Sequence, residues 1–287
     1  MSLSRGIAIL FVASFFFATA AIFIRFATEA SAMSLTFFRL FIAALVMVLF
    51  GFASRNLHIL PRRDLVLVAI SGAFLSLHFA AFIFAVKETT IANATFLVNT
   101  SPVMLAVLSP IIIRERTTSK EIVSVLVATF GVILVANAGN GFNAFGLADL
   151  SALLAAFFVA QYSLVGRYLR TSGVSTSCYT SYVYSAAALV ALLMVGALGE
   201  HTFRSYDTQN IVAILGLALL PTAVGHSLYN YSLGSVKTVT ANLFPLMEPI
   251  LASLFAIPLF HEVPNPIQIA GYALILLAVI FVATNLR

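Results

Sequence analysis

Ten apolar runs, each close to the length that crosses a bilayer, leave this chain little choice of fold. They cover residues 6–25, 35–53, 65–86, 91–113, 120–137, 147–166, 176–198, 210–233, 238–260 and 266–284. A helix that spans the hydrocarbon core needs about 20 residues. Short polar gaps separate the runs, such as SRNLHILPRRD (54–64) and RERTTSKE (114–121). The expected fold class is therefore an all-α membrane protein with ten transmembrane helices. Composition agrees: 61% of the 287 residues are hydrophobic and 9% are charged, where a soluble domain carries roughly a quarter charged residues. FATAA (17–21) resembles a small-residue cleavage site, but the apolar stretch runs on to Ile24 before Arg25. The first run thus reads as a retained helix rather than a signal peptide.

The net charge of +5 is no sign of a nucleic-acid partner, because the basic residues sit in the gaps between apolar runs. Cys178 is the single cysteine, so neither an intrachain disulfide nor a cysteine metal motif is possible. Orientation follows from lysine and arginine, which concentrate on the cytoplasmic side. With the N-terminus inside, Arg5, Arg55, Arg62, Arg63, Arg114, Arg116, Lys120, Arg167, Arg170, Lys237 and Arg287 are all cytoplasmic. Arg25, Lys87 and Arg204 are then outside, and Arg39 lies within the second helix. Both chain ends are expected in the cytoplasm.

The chain also contains itself twice. Shifted by 147 residues, ANATFLVNTSPVMLAVLSPIIIRE (92–115) falls on VTANLFPLMEPILASLFAIPLFHE (239–262) without a gap. Ala94 meets Ala241, Pro102 meets Pro249 and Glu115 meets Glu262. Upstream, Phe82 meets Tyr229, and His78 falls one position from His226. The expected division is 1–140 and 141–287, with five helices in each part. An odd number sends the two parts into the membrane in opposite senses, as inverted repeats about an axis in its plane. Secondary transporters use this design and place their site near the midplane between the repeats. Inversion supplies two near-equivalent packings, one open to each side, and alternating access follows from it. Such a chain carries its own two-fold partner, so no oligomer is required.

A mid-helix proline followed by a glutamate just past the helix end, in both halves of a ten-helix chain, resembles the EamA-type exporters of the drug/metabolite transporter superfamily. The residues that carry the resemblance are Pro102 with Glu115, Glu248–Pro249 with Glu262, and the arginine of FFRL (37–40). The branch most similar exports aromatic amino acids. Members of that branch often carry tryptophans in the early helices; this chain has none, and Phe16 and Phe17 stand in their place. The resemblance implies export of aromatic amino acids or related hydrophobic metabolites across a bacterial inner membrane. Other amino acids and cationic aromatic drugs are the alternatives within the superfamily.

The polar residues inside the apolar runs are the candidate site. Glu248 is the most telling, because a carboxylate at this depth costs several kcal/mol unless paired, hydrated or protonated. It reads as a proton site or a partner for a substrate amino group; its repeat mate is Ser101, which cannot ionise. His78, with Phe82 one turn on, and Tyr229, one turn after His226, offer a surface on which a ring can stack. Phe17, Asn99 and Gln161 complete the expected substrate-binding set, the amides suiting a zwitterion without carrying charge into the membrane. Asn242 reads as interhelical glue, and Arg39 as a snorkelling or carboxylate-paired structural residue. Pro102 and Pro249 remove backbone donors and are expected to kink their helices, freeing carbonyls that need another partner. Glu115 and Glu262 lie where a carboxylate opposes the dipole of its own helix. They are expected to bond loop amides of the next connection and to take part in gating.

An intramembrane enzyme is the rival class. HExxH, GxSxG and Walker motifs are all missing from the sequence; His261–Glu262 is followed by Val-Pro-Asn. The expected partners are the bilayer and a small molecule, with protons as a candidate second cargo and no cofactor. Without an ATP-binding motif, transport runs down a gradient, by exchange or coupled to protons.

Overall fold

The computed structural model describes residues 2–89, 91–137, 146–260 and 263–285. Among these, ten helices are long and apolar enough to cross a membrane: α1 (Leu3–Phe26), α2 (Ala32–Ala53), α3 (Arg62–Glu88), α4 (Ala94–Ile112), α5 (Ser119–Ala136), α6 (Leu147–Thr171), α7 (Thr176–Ala197), α8 (Thr208–Ser232), α9 (Thr238–Phe255) and α10 (Pro266–Thr284). Helix starts are written in the sequence. The hydroxyl of Ser31 accepts the amide of Ser34 at 3.0 Å, and Ser175 does the same for Cys178 at 3.2 Å. Asp207 caps α8 through the amide of Asn210 at 2.7 Å. Each oxygen satisfies an amide that the first helical turn leaves without a partner. Large apolar side chains such as Leu49, Phe52, Leu126 and Leu277 stand exposed on the outside, as a lipid-facing belt requires.

The packing obeys the two-fold relation predicted from the repeat. Helix α2 lies on α7 and α5 lies on α10, each pair being its own image. The contact of α3 with α6 is mirrored by that of α8 with α1, and α3 with α7 by α8 with α2. The ten helices are therefore two inverted five-helix repeats. They are not all regular: α1 is broken by a turn at Ala18–Thr19, and α4 by one at Asn99–Thr100. Helix α8 widens into a π-helical stretch over Ala218–His226, and α9 tightens to a 3₁₀ turn over Phe244–Met247.

The α5–α10 contact depends on a pair of glycines. A Cβ on Gly131 would come 2.7 Å from the carbonyl oxygen of Gly271, and one on Gly271 would come 2.6 Å from that of Gly131. Backbones this close admit no side chain, and small residues are what let helices approach in lipid. Gly271→Val should lower the thermal unfolding temperature in detergent, the overpacking costing roughly 1–3 kcal/mol. Gly196→Ala, where a Cβ meets nothing within 4 Å, should leave it unchanged.

Candidate functional site

The interruptions in α4 and α9 occupy equivalent places in the repeat and face each other across a central cavity. Pro102 lies in the first turn after the α4 break, while Pro245 lies within the 3₁₀ turn of α9 and Pro249 just after it. Proline has no amide hydrogen, so each removes a rung of the helical ladder. The carbonyl of Phe244 is released by the break and accepts a hydrogen bond from the Ser14 hydroxyl of α1 at 2.9 Å. Pro102 and Pro249, the two prolines expected to kink their helices, thus stand beside these interruptions, and a freed carbonyl finds the partner it needs.

The cavity holds about 640 Å³ of empty space, its open mouth included. Helices from both halves wall it: Phe17 of α1, Arg39 of α2, His78, Phe79 and Phe82 of α3, Asn99 and Ser101 of α4, Val159 of α6, His226 and Tyr229 of α8, and Asn242 and Glu248 of α9. The wall is largely aromatic. The His78 and Phe82 rings stack at 6.2 Å between centroids, and His226 receives the ring edges of Phe17 at 4.8 Å and Phe79 at 5.0 Å. Gly225 leaves room beside Phe17, since a Cβ there would sit tightly, 3.1 Å from the Phe17 ring. The histidines, one position out of register in the sequence repeat, meet with ring centroids 6.4 Å apart. The π-helical stretch of α8 rotates His226 into line.

Polar groups are held in fixed directions. His78 donates from Nδ1 to the carbonyl of Ala155 at 2.9 Å; a carbonyl can only accept, so the proton is on Nδ1. Tyr229 donates to Ser163 at 2.7 Å and accepts from the amide of Asn242, which also donates to the carbonyl of Thr238 at 3.1 Å. Asn230 joins Tyr162 to the carbonyl of His226. Arg39 donates from Nε to the Thr222 hydroxyl at 3.0 Å and lies with its guanidinium carbon 3.5 Å from the centroid of the Phe79 ring. Four buried polar atoms of the wall have no partner among the described residues: Arg39 Nη1, Asn99 Nδ2, His226 Nδ1 and Glu248 Oε1.

Of the expected set, Phe17, His78, Phe82, Asn99, Tyr229 and Glu248 line this one cavity, although they come from five helices. Gln161 does not; it is half-buried on α6, where Val159 reaches the wall instead. Asn242 is both glue and lining. Arg39 faces the cavity, neither snorkelling nor paired with a carboxylate among the described residues. No sequence signal separated it from a lipid-edge arginine, because its place depends on α2 crossing α8. No cluster of three or more His, Cys, Asp or Glu among the described residues is placed to hold a metal ion.

At the face where α1 begins, Glu115 has an unexpected partner. It does not reach the next connection but crosses to the other half. Its Oε2 accepts the amide of Thr238 at 2.9 Å and the Thr238 hydroxyl at 2.7 Å, while Oε1 pairs with Arg167 Nε at 2.8 Å. Glu115 therefore caps the N-terminus of α9, where a negative charge is favourable, although it opposes the dipole of α4. Glu121 adds a second tie, accepting from Thr240 at 2.8 Å and pairing with Lys237 at 3.4 Å. Glu262, the repeat mate of Glu115, lies outside the described residues.

Inverted helical halves around a shared cavity are the architecture of a polytopic membrane transporter. Residues 4–137 and 146–284 each match the EamA-like transporter family, and the chain belongs to it. An uncharacterized transporter of Archaeoglobus fulgidus is 27% identical over 68% of this chain; the match spans 61% of that relative's own length. A probable terminal-alkyne amino-acid exporter of Streptantibioticus cattleyicolor is 28% identical over 75% of this chain and 72% of its own. The uncharacterized transporter YwfM of Bacillus subtilis is 26% identical over 96% and 93%. One crystal structure superposes with a TM-score of 0.81 over 99% of this chain and 98% of its own at 20% identity, a likeness of fold alone. Membership of a transporter family fits a role other than catalysis.

The capping of α9 by Glu115 is open to test. Glu115→Ala should cost about 1–3 kcal/mol of stability, because it strands the Thr238 amide and the Arg167 guanidinium. Glu115→Gln, which can still accept from Thr238, should cost less. Thermal unfolding in detergent measures both, and equal stability of all three proteins would contradict the cap.

Proposed function

We propose that this chain exports aromatic amino acids or related hydrophobic metabolites across a bacterial inner membrane by alternating access, with both chain ends in the cytoplasm. The observation that carries the reading is the cavity wall: six aromatic or imidazole rings from three helices enclose a space shared by the two inverted halves. The similarity to a probable amino-acid exporter supports the substrate class at the level of an amino acid. Phe17, His78, Phe82, Tyr229 and Asn99 stack on and orient the substrate; Glu248 meets its amino group.

In this reading the repeats 1–140 and 141–287 rock against each other, with Pro102 and Pro249 shaping the cavity. The Glu115 ties to α9 then close the cytoplasmic side, and the mirror role falls to Glu262. They must break when that side opens. A second reading, export of cationic aromatic drugs, is favoured by one feature: the unpartnered carboxylate oxygen of Glu248 in the wall.

Counterflow in proteoliposomes separates the two. Vesicles preloaded with phenylalanine, tyrosine, tryptophan, threonine or a cationic aromatic drug are given labelled phenylalanine outside. Accumulation with the three aromatic amino acids and not with threonine is the expected result. Phenylalanine flux driven by the drug load as well would favour the second reading. No accumulation with any load would overturn the substrate class.

A further inference from the structure

Arg39 is the largest of the fully buried side chains, 2% exposed, and the aromatic reading leaves it without a task. Its surroundings aim it. Thr222 spends its hydrogen on the carbonyl of Leu217 at 2.8 Å, so the hydroxyl oxygen is free to hold Arg39 Nε at 3.0 Å. The Phe79 ring lies against the guanidinium at 3.5 Å and fixes its plane. Thus Nη1 is left buried at the cavity wall with no partner. Glu248, 8% exposed on the same wall, leaves Oε1 in the same condition.

These two opposite charges are not ion-paired with each other, nor with any other described residue. Stability alone gives no reason for that arrangement, since a lone buried charge is costly and closing the pair would relieve both. A ligand with one charge of each sign, placed between them, relieves both at once. A simple cation would be repelled by Arg39 and a simple anion by Glu248. Guanidinium offers a planar fork that matches a carboxylate, and a carboxylate oxygen accepts from an ammonium group.

We propose that Arg39 and Glu248 together read the two ends of a zwitterion: Arg39 binds the substrate α-carboxylate and Glu248 its α-ammonium group, while the aromatic wall takes the side chain. The assignment rests on the amino-acid reading given above and sharpens it, because it requires both charged groups on the substrate. It also gives Arg39 a specificity role in place of a structural one.

The chain contains no tryptophan, so the fluorescence of an indole ligand, excited beyond the tyrosine band, can be followed on the intact detergent-solubilised protein without background from protein indoles. Three probes share the ring and differ in charge: L-tryptophan, tryptamine without the carboxylate, and indole-3-propionate without the ammonium. L-tryptophan should bind at least about tenfold tighter than either, the usual scale of one hydrogen bond to a charged group. Arg39→Gln should abolish the preference for L-tryptophan over tryptamine and keep that over indole-3-propionate. Glu248→Gln should do the reverse.

A purely structural role for either residue would weaken all three probes alike and overturn the assignment. Equal binding of the three by the wild-type protein would also overturn it, while leaving the aromatic cavity standing. Failure of all three to bind would remove the amino-acid reading and this assignment together.

Discussion

A peptide group in hydrocarbon has no water to bond, so every amide and carbonyl of this chain must find its partner inside the protein. Regular helices satisfy it over most of the chain, and the interruptions of α1, α4, α8 and α9 are where it has to be met in another way. The α4 turn and the α9 3₁₀ segment stand at equivalent positions of the two repeats. Their interrupted ladders release backbone groups that neighbouring helices must satisfy, as Ser14 does for Phe244. Irregular backbone at this depth is tolerated where protein or a cavity surrounds it, and here both do. The proline positions thereby decide where the cavity can be.

The inversion is close in backbone and incomplete in chemistry. His78 and His226 meet across the axis, and Phe82 and Tyr229 hold related places on the wall. Ser101 and Glu248 hold related places too, but only one carries a carboxylate. Arg39 likewise acts from the first half alone. Two similar scaffolds therefore enclose an electrostatically lopsided site, which suits a ligand whose own ends differ.

The helices were legible because hydropathy reports burial in lipid directly, and the inversion because Pro102, Pro249, Glu115 and Glu262 recur at one spacing. Part of the wall was legible as well: six of the seven residues chosen as substrate-binding line the cavity. What failed was rotation and partner. Gln161 misses the wall because a helix turns about 100° per residue, which carries it round α6 from the lining Val159. The partner of Glu115 was misread because Thr238 is 123 positions away in sequence. No local pattern announces that contact; it exists because inversion puts the end of α4 beside the start of α9. Arg39 was misjudged for the same reason.

The central claim is that one cavity, shared by inverted halves, opens to each side of the membrane in turn. Cys178 is the only cysteine and is fully buried, so a Ser101→Cys probe on the wall can be placed in a Cys178→Ser background. Labelling with a membrane-impermeant thiol reagent would be measured in inside-out and right-side-out vesicles, with and without phenylalanine. The account predicts labelling from both faces, with phenylalanine shifting the ratio of the two rates. Labelling from one face only, whatever the substrate, would contradict it.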